Sequence, residues 1–114
     1  MDSPTLASTF KEVTMYASIR QGTVNPGQVK EFAQVLRDEI APTMAKIGGF
    51  VGYYAVDLGD NRLMGISLFE DLAGAEEASR QASEYGKTKL QRFLAEPLTV
   101  SSGQVVVEKV RQPV

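Results

Sequence analysis

An α+β fold, one four-stranded antiparallel sheet with two helices on one of its faces, is the architecture that the sequence predicts, and three observations predict it. Segments of alternating apolar and polar residues and segments of helical periodicity follow one another as strand, helix, strand, strand, helix, strand. The two central strands are separated only by residues that tolerate positive φ, which makes them a hairpin. The 114 residues suit one core, with residues 1–12 expected as a flexible N-terminus and residues 13–114 as a single domain.

Residues 13–20 (VTMYASIR) open the sheet, because Val13, Met15, Ala17 and Ile19 alternate with Thr14, Tyr16, Ser18 and Arg20. Asn25, followed by Pro26 and with Gln28 three positions on, reads as an N-cap with a capping box. Val29, Phe32, Ala33, Leu36 and Ile40 then share one helical face. Pro42 ends or kinks that helix near Ala41, with residues 43–47 as a short extra turn. After Gly48 and Gly49, residues 50–57 (FVGYYAVD) are rich in aromatics and valine, and residues 62–69 (RLMGISLF) return as the second arm of the hairpin. Asp71 caps a second helix over residues 72–85, whose inner face of Leu72, Ala75, Ala78, Ala82 and Tyr85 is unusually small and which Gly86 interrupts. Residues 87–95 add a short helix with Leu90, Phe93 and Leu94 inward, Pro97 ends it, and residues 104–110 (QVVVEKV) supply the last strand. This order closes as a split βαβ sandwich, the ferredoxin-like fold.

Composition removes most familiar chemistry. Twelve Lys and Arg against fourteen Asp and Glu leave a net charge of −2, so nucleic acid and an anionic membrane are not expected partners. Cysteine, histidine and tryptophan are absent, which removes zinc and iron–sulfur sites, disulfides and every nucleophile that needs a histidine base. No glycine-rich phosphate fingerprint follows a strand and no carboxylates cluster, so no cofactor is expected: no haem, no zinc, no dinucleotide. No run approaches the ~20 apolar residues of a membrane span. The first dozen residues lack a basic start, an apolar stretch and a small-residue cleavage site, so a cytoplasmic location is expected.

With Gly59 and Asp60 as the turn centre, Asp57 opposes Arg62, Val56 opposes Leu63, Tyr54 opposes Gly65 and Phe50 opposes Phe69. One face of the hairpin then carries Phe50, Gly52, Tyr54, Gly65, Ser67 and Phe69. The other carries Val51, Tyr53, Ala55, Met64, Ile66 and Leu68. An open sheet face should be polar, and this one is apolar, so a second copy of the chain is expected to cover it.

The segment GGFVGYYAVDLGD, the following LMGISLFEDLAGAEEAS and the GQVVVEKV strand resemble the dimeric α+β barrel superfamily, and within it the antibiotic biosynthesis monooxygenase-like domains. The resemblance covers residues 13–110 and implies a homodimer whose two sheets pack face to face, with a ligand pocket between sheet and helices in each subunit. It also implies a choice of functions, since cofactor-independent oxygenases of polycyclic phenols, haem-degrading enzymes and proteins without a known reaction share this shape. The haem-degrading branch uses a histidine iron ligand and a pocket tryptophan and asparagine. This chain has neither histidine nor tryptophan, carries Phe69 where relatives often carry tryptophan, and reads RQASEY at residues 80–85 where a histidine often stands. Its asparagines, Asn25 and Asn61, have local explanations as a cap and a turn, so haem breakdown is rejected.

Candidate site residues follow from the predicted faces. Tyr16 and Arg20 alternate along the first strand, and a phenol beside a guanidinium could bind an acidic or phenolic substrate and stabilise its anion. The bland alternative is an arginine at a strand end reaching solvent and a tyrosine serving as a core or interface aromatic. Gly52, Gly65 and Ser67 face the small helix residues Ala75, Ala78 and Ala82, with Phe50, Tyr54 and Phe69 around them. Either the helix packs directly on the sheet or an aromatic-rimmed cavity remains. Asp57 and Arg62 are expected to form a cross-strand ion pair. The candidate ligand-binding set is thus Tyr16, Arg20, Phe50, Tyr54, Ser67 and Phe69, with no catalytic residue identified. The function expected is a small-molecule-binding homodimer resembling cofactor-independent monooxygenases that oxygenate a phenolic or polycyclic aromatic substrate. The alternative is a noncatalytic ligand-sensing or protein-interaction dimer.

Overall fold

In the computed structural model, which describes residues 14–112, the chain runs β1 (Tyr16–Thr23), α1 (Val29–Val35), a π turn (Leu36–Ile40), α2 (Ala41–Met44), β2 (Phe50–Gly59), β3 (Arg62–Phe69), α3 (Leu72–Lys87), a 3-10 turn (Gln91–Phe93) and β4 (Thr99–Gln104). The expected flexible N-terminus, residues 1–12, and Val13 lie outside the described residues. The strands form one sheet in the order β2-β3-β1-β4, every neighbour antiparallel. This is the expected ferredoxin-like topology, with the helices packed on one face.

The entry to α1 differs from the sequence reading. Asn25 does not cap the helix; its carbonyl accepts from Gln28 N at 3.1 Å and Gly27 sits at φ 85°, so Asn25, Pro26, Gly27 and Gln28 form a type II turn and the helix starts at Val29. The Asn25 side chain instead donates to the Arg92 carbonyl at 3.2 Å, tying this turn to the segment before β4. Pro42 does not end the helix. The missing N–H is absorbed by one wide π turn over Leu36–Ile40, and the helix continues to Met44, with Thr43 Oγ1 donating to the Glu39 carbonyl at 2.8 Å. Phe32, Leu36, Ile40 and Met44 line its buried side as the periodicity predicts.

Asp71 caps α3 as expected, its Oδ1 accepting from Gly74 N at 2.8 Å. Gly74, Ala75, Ala78 and Ala82 are the buried residues of that helix, and Leu72 is exposed. A Cβ added at Gly74 would lie 2.8 Å from the Gly48 carbonyl oxygen and 2.8 Å from Phe69 Cδ1, so the first turn of α3 rests directly on the sheet. The last strand is displaced from the predicted residues 104–110 to Thr99–Gln104, because Ser18, Ile19 and Arg20 of β1 pair with Ser102, Ser101 and Val100. Val106, Val107 and Val110 extend past the sheet and are exposed.

The largest correction concerns the hairpin. Asp60 and Asn61 are its turn, both at positive φ (54° and 64°), in place of Gly59 and Asp60. The ladder shifts by one residue near Leu58 and by one more in the same sense near Val51, each time with an extra residue on β2. Phe50 therefore opposes Phe69 as predicted, but between the two bulges Tyr53 opposes Ser67, Ala55 opposes Gly65 and Asp57 opposes Leu63. A shift of one residue exchanges the faces. Tyr53 and Ala55 turn toward the helices, and Tyr54 and Val56 turn away. The expected Asp57–Arg62 pair is absent: Asp57 Oδ1 accepts from Gly59 N at 2.9 Å and shapes the turn. The helix-free face carries Ile19, Tyr54, Val56, Met64, Ile66 and Leu68, still apolar and uncovered by any helix among the described residues.

Gly74→Ala tests the close contact of α3 with the sheet. A helix-propensity gain of under ~1 kcal/mol is opposed by overlap with a backbone oxygen. Urea denaturation should show a net loss of about 1 to 3 kcal/mol; unchanged stability would mean that α3 can back away from Gly48 and Phe69.

Candidate functional site

β1 presents its polar side to the helices and its apolar side to the open face, the reverse of what burial alone would choose. Tyr16, Ser18, Arg20 and Gly22 pair with Phe69, Ser67, Gly65 and Leu63 of β3, and Ser18, Arg20 and Ser67 are buried. A buried polar group is tolerated only when its hydrogen bonds are met, and the hydroxyls of Ser18 and Ser67 have theirs. Tyr53, Ser67, Ser18 and Ser102 align in one row across all four strands. Ser79 of α3 sits over that row, 2.7 Å from Ser18 Oγ and 2.6 Å from Ser102 Oγ.

Arg20 is the centre of the site. It is only 6% exposed, yet no carboxylate pairs with it among the described residues. Its Nη1 donates to the Ser18 carbonyl at 3.0 Å and to Ser67 Oγ at 2.9 Å. The rest of the guanidinium lies across Gly65, where an added Cβ would stand 3.3 Å from Nη2 and 3.5 Å from Nε. The Tyr53 ring faces it, with its centroid 5.5 Å from Arg20 Cζ. Burial lowers the Arg20 pKa, with Tyr53 acting in the opposite sense. Burial raises the Tyr53 hydroxyl above its ordinary 10.0, and the Arg20 charge pulls it partly back. The result is a desolvated cation faced by a phenol ring and held by a hydroxyl and a backbone carbonyl.

A cavity of about 40 Å³ adjoins this pair, with Gly22, Leu63 and Gly65 as its sheet floor and Phe32, Leu36, Ile40, Met44, Ala82 and Tyr85 as its helix walls. Leu90 and Leu98 complete it. Among the described residues no carboxylate lines it. Among the described residues no group of three Asp, Glu, His or Cys side chains could hold a metal, and no helix is long and apolar enough to cross a membrane.

The predicted set divides between two ends of the sheet–helix space. Arg20 and Ser67 meet at the cavity, with Gly65 beneath them. Phe50 and Phe69 meet edge-on instead, centroids 5.9 Å apart at 73°, and Phe69 is fully buried against Gly74, so that end is packed. Tyr16 packs against the same core and does not line the cavity. Tyr54, placed in the site by the predicted register, is on the far face and 60% exposed. Opposite Gly65, where the predicted register puts Tyr54, stands Ala55, and Tyr53 is opposite Ser67. Direct packing and a cavity both occur, at opposite ends of α3. The sequence reading missed Tyr53, Gly22 and Leu98; Tyr53 reaches this face through the bulge between Asp57 and Gly59, which no residue there announces.

No protein-family model matches the chain, and none of the curated proteins aligns with it significantly. Solved structures do. A protein of unknown function from Nitrosomonas europaea superposes with a TM-score of 0.72 at 18% identity, covering 90% of this chain and 100% of its own. A provisionally assigned antibiotic biosynthesis monooxygenase from the same organism gives 0.66 at 15%, covering 84% and 94%. SnoaB, a cofactor-independent oxygenase from Streptomyces nogalater, solved as a mutant, gives 0.61 at 21%, covering 85% and 96%. The chain shares the ferredoxin-like α+β fold of these structures. At these identities the likeness to that monooxygenase-like group is one of fold, and the chemistry rests on the side chains described above.

Arg20→Met separates a functional arginine from a structural one. Replacing a buried charge that lacks a partner by an apolar side chain of similar length should leave the melting temperature unchanged or higher. A loss of more than about 3 kcal/mol would identify Arg20 as a structural post.

Proposed function

We propose that this chain binds a small aromatic hydroxy compound as its anion, in the cavity beside Arg20 and Tyr53. One observation carries the proposal: a buried guanidinium that has no carboxylate partner among the described residues, held by Ser18 and Ser67 with its remaining edge over Gly65. A charge in such surroundings is costly unless something anionic completes it. A phenolate stabilised there would be poised for direct reaction with oxygen, as in a cofactor-independent oxygenase: a phenol with an open ring position and O2 yield a quinone and water. A noncatalytic, ligand-sensing role is the second reading, favoured because no carboxylate or imidazole lines the cavity to take the phenolic proton. Under it, the site takes a ligand that is already ionised.

Titration with a panel of acidic phenols, with oxygen uptake recorded in parallel, tests both. Saturable binding weakened at least about tenfold, ~1.4 kcal/mol, by Arg20→Met is expected. Stoichiometric oxygen consumption selects the oxygenase, and binding without it selects the sensor. No binding by any member of the panel would refute the proposal.

We also propose that the protein is a homodimer joined through the helix-free sheet face. Ile66, paired with Ile19 on one side and Tyr54 on the other, is the middle of that face, and large apolar side chains contribute ~1.5 to 3 kcal/mol each when buried. The exposed Val106, Val107 and Val110 add apolar surface beyond the sheet. Sedimentation should find a dimer at micromolar concentration, and Ile66→Asp should give an unfolded or aggregated chain. A folded monomer of the unmutated protein would contradict this.

A further inference from the structure

The helix wall of the Arg20 cavity is kept apolar by the π turn. Phe32, Leu36, Ile40 and Met44 are all buried and all line the cavity, although they follow one another at strict intervals of four residues. In a regular α-helix, at about 100° per residue, Met44 would lie about 120° round from Phe32, while Glu39 and Thr43 would fall within about 20° of it. The π turn over Leu36–Ile40, in which Ala41 N donates to the Leu36 carbonyl, takes up one extra residue and returns Met44 to the side of Phe32. Glu39 and Thr43 are left outside. The Glu39 carboxylate meets Lys89 Nζ at 2.9 Å, and Thr43 Oγ1 donates to the Glu39 carbonyl at 2.8 Å.

What this wall encloses is small and apolar. Arg20, Tyr53 and Tyr85 are the polar side chains of the lining, and the helix wall offers a water molecule nothing to bond. Apolar cavities stay dry and take up apolar guests of the right size. One water needs roughly 10–15 Å³ of such space and a benzene ring about 150 Å³. The cavity, of about 40 Å³, therefore admits a diatomic molecule and not a ring. Its wall and its rim also differ in burial: Phe32, Leu36, Ile40, Met44 and Leu90 are buried, whereas Tyr53, Tyr85 and Leu98 are half-buried.

Dioxygen suits such a space, being diatomic and apolar, with no hydrogen bonds to lose on leaving water. We propose that the deep end of the cavity is a dioxygen-binding site. The ring of the phenolic ligand then takes the rim, turning Tyr85 and Leu98 aside with its ionised hydroxyl at Arg20, and dioxygen sits between the ring and the helix wall. The π turn acquires a task in this arrangement. A register with Glu39 on the wall would bring a carboxylate and its water into the space and neutralise Arg20. This inference rests on the function proposed above, in its oxygenase form.

Dioxygen is paramagnetic and serves as its own probe. In NMR of the full chain under oxygen pressure, compared with nitrogen, methyl relaxation should rise several-fold more at Leu36, Ile40, Met44 and Leu63 than at Val24, Ala75 and Ala78, which are equally buried but do not line the cavity. Ala82→Val fills the space and should abolish that difference. With the phenols of the panel, the same variant should raise the KM for oxygen at least about tenfold while the affinity for para-nitrophenol is unchanged. Leu36→Phe fills the space from the other wall and carries the same test if Ala82→Val does not fold. No excess relaxation at the cavity methyls would overturn the site, whatever the phenols do. Excess relaxation with phenol bound, but with oxygen uptake absent or indifferent to the filling variants, would overturn its part in the reaction. Excess relaxation with no phenol bound by the parent protein would overturn the function proposed above, and with it the role of the site in that function.

Discussion

The structure is organised around one desolvated guanidinium. Arg20 occupies the middle of the inner sheet face, where an aliphatic side chain would normally join sheet to helix, and its neighbours are chosen to accommodate it. Gly65 opposes it because a side chain there would crowd Nη2 and Nε; Ser67 and the Ser18 carbonyl take the hydrogen bonds of Nη1; Tyr53 supplies an aromatic face. The apolar core is one cluster that runs past the guanidinium through Leu36, Ile40, Met44, Leu63 and Ala82 and is closed at two ends. Phe50, Phe69, Ala75 and Ala78 close one, and Val24, Phe32, Leu90 and Phe93 close the other, with Phe32 and Phe93 edge-on at 5.5 Å. A chain selected for stability alone would place an aliphatic residue at position 20. A local rule broken in the middle of an otherwise regular fold is where function is expected to reside.

How far this was legible in the sequence differs from element to element. The strand and helix order, the Asp71 cap and the small inner face of α3 follow from periodicity and side-chain chemistry, and all are present. Arg20, Ser67 and Gly65 could be gathered from the sequence because β1 and β3 pair without a bulge, so alternation fixes their faces. Tyr53 could not, because β2 carries a bulge at each end. A bulge depends on how the pair of strands twists against the helices, and Val51 and Leu58 have no composition that announces it. Asn25 satisfies every rule for an N-cap, yet Gly27 at φ 85° offers a type II turn that competes and wins. The predicted last strand went wrong for a related reason. Its valines favour a strand, but the edge of β1 is taken by the less β-prone residues 99–104, whose Ser102 completes the hydroxyl row with Ser18 and Ser79.

The two faces of the sheet thus have separate tasks. The far face is apolar and regular, suited to a second sheet. The near face gives up packing at its centre and recovers it through hydrogen bonds that cross the sheet and reach α3 through Ser79. A shared fold explains the first of these and leaves the second open, since folds of this kind host different chemistries. The near face holds a cation kept dry, with an aromatic ring facing it and two glycines making room for Leu98 in the cavity wall.

The central claim, that the Arg20 charge is there to meet an anion, is tested most directly by the ionisation of a bound chromophoric phenol. Para-nitrophenol changes colour on losing its proton, so its pKa can be read by visible absorption while it is bound. Burial among apolar walls would by itself raise that pKa, a cation or hydrogen-bond donors lower it, and the loss of the downshift in Arg20→Met assigns it to the cation. A bound pKa below that of the free phenol, with the downshift lost in Arg20→Met, is expected. A bound pKa equal to or above the free value would contradict the assignment of Arg20 as an anion-binding residue.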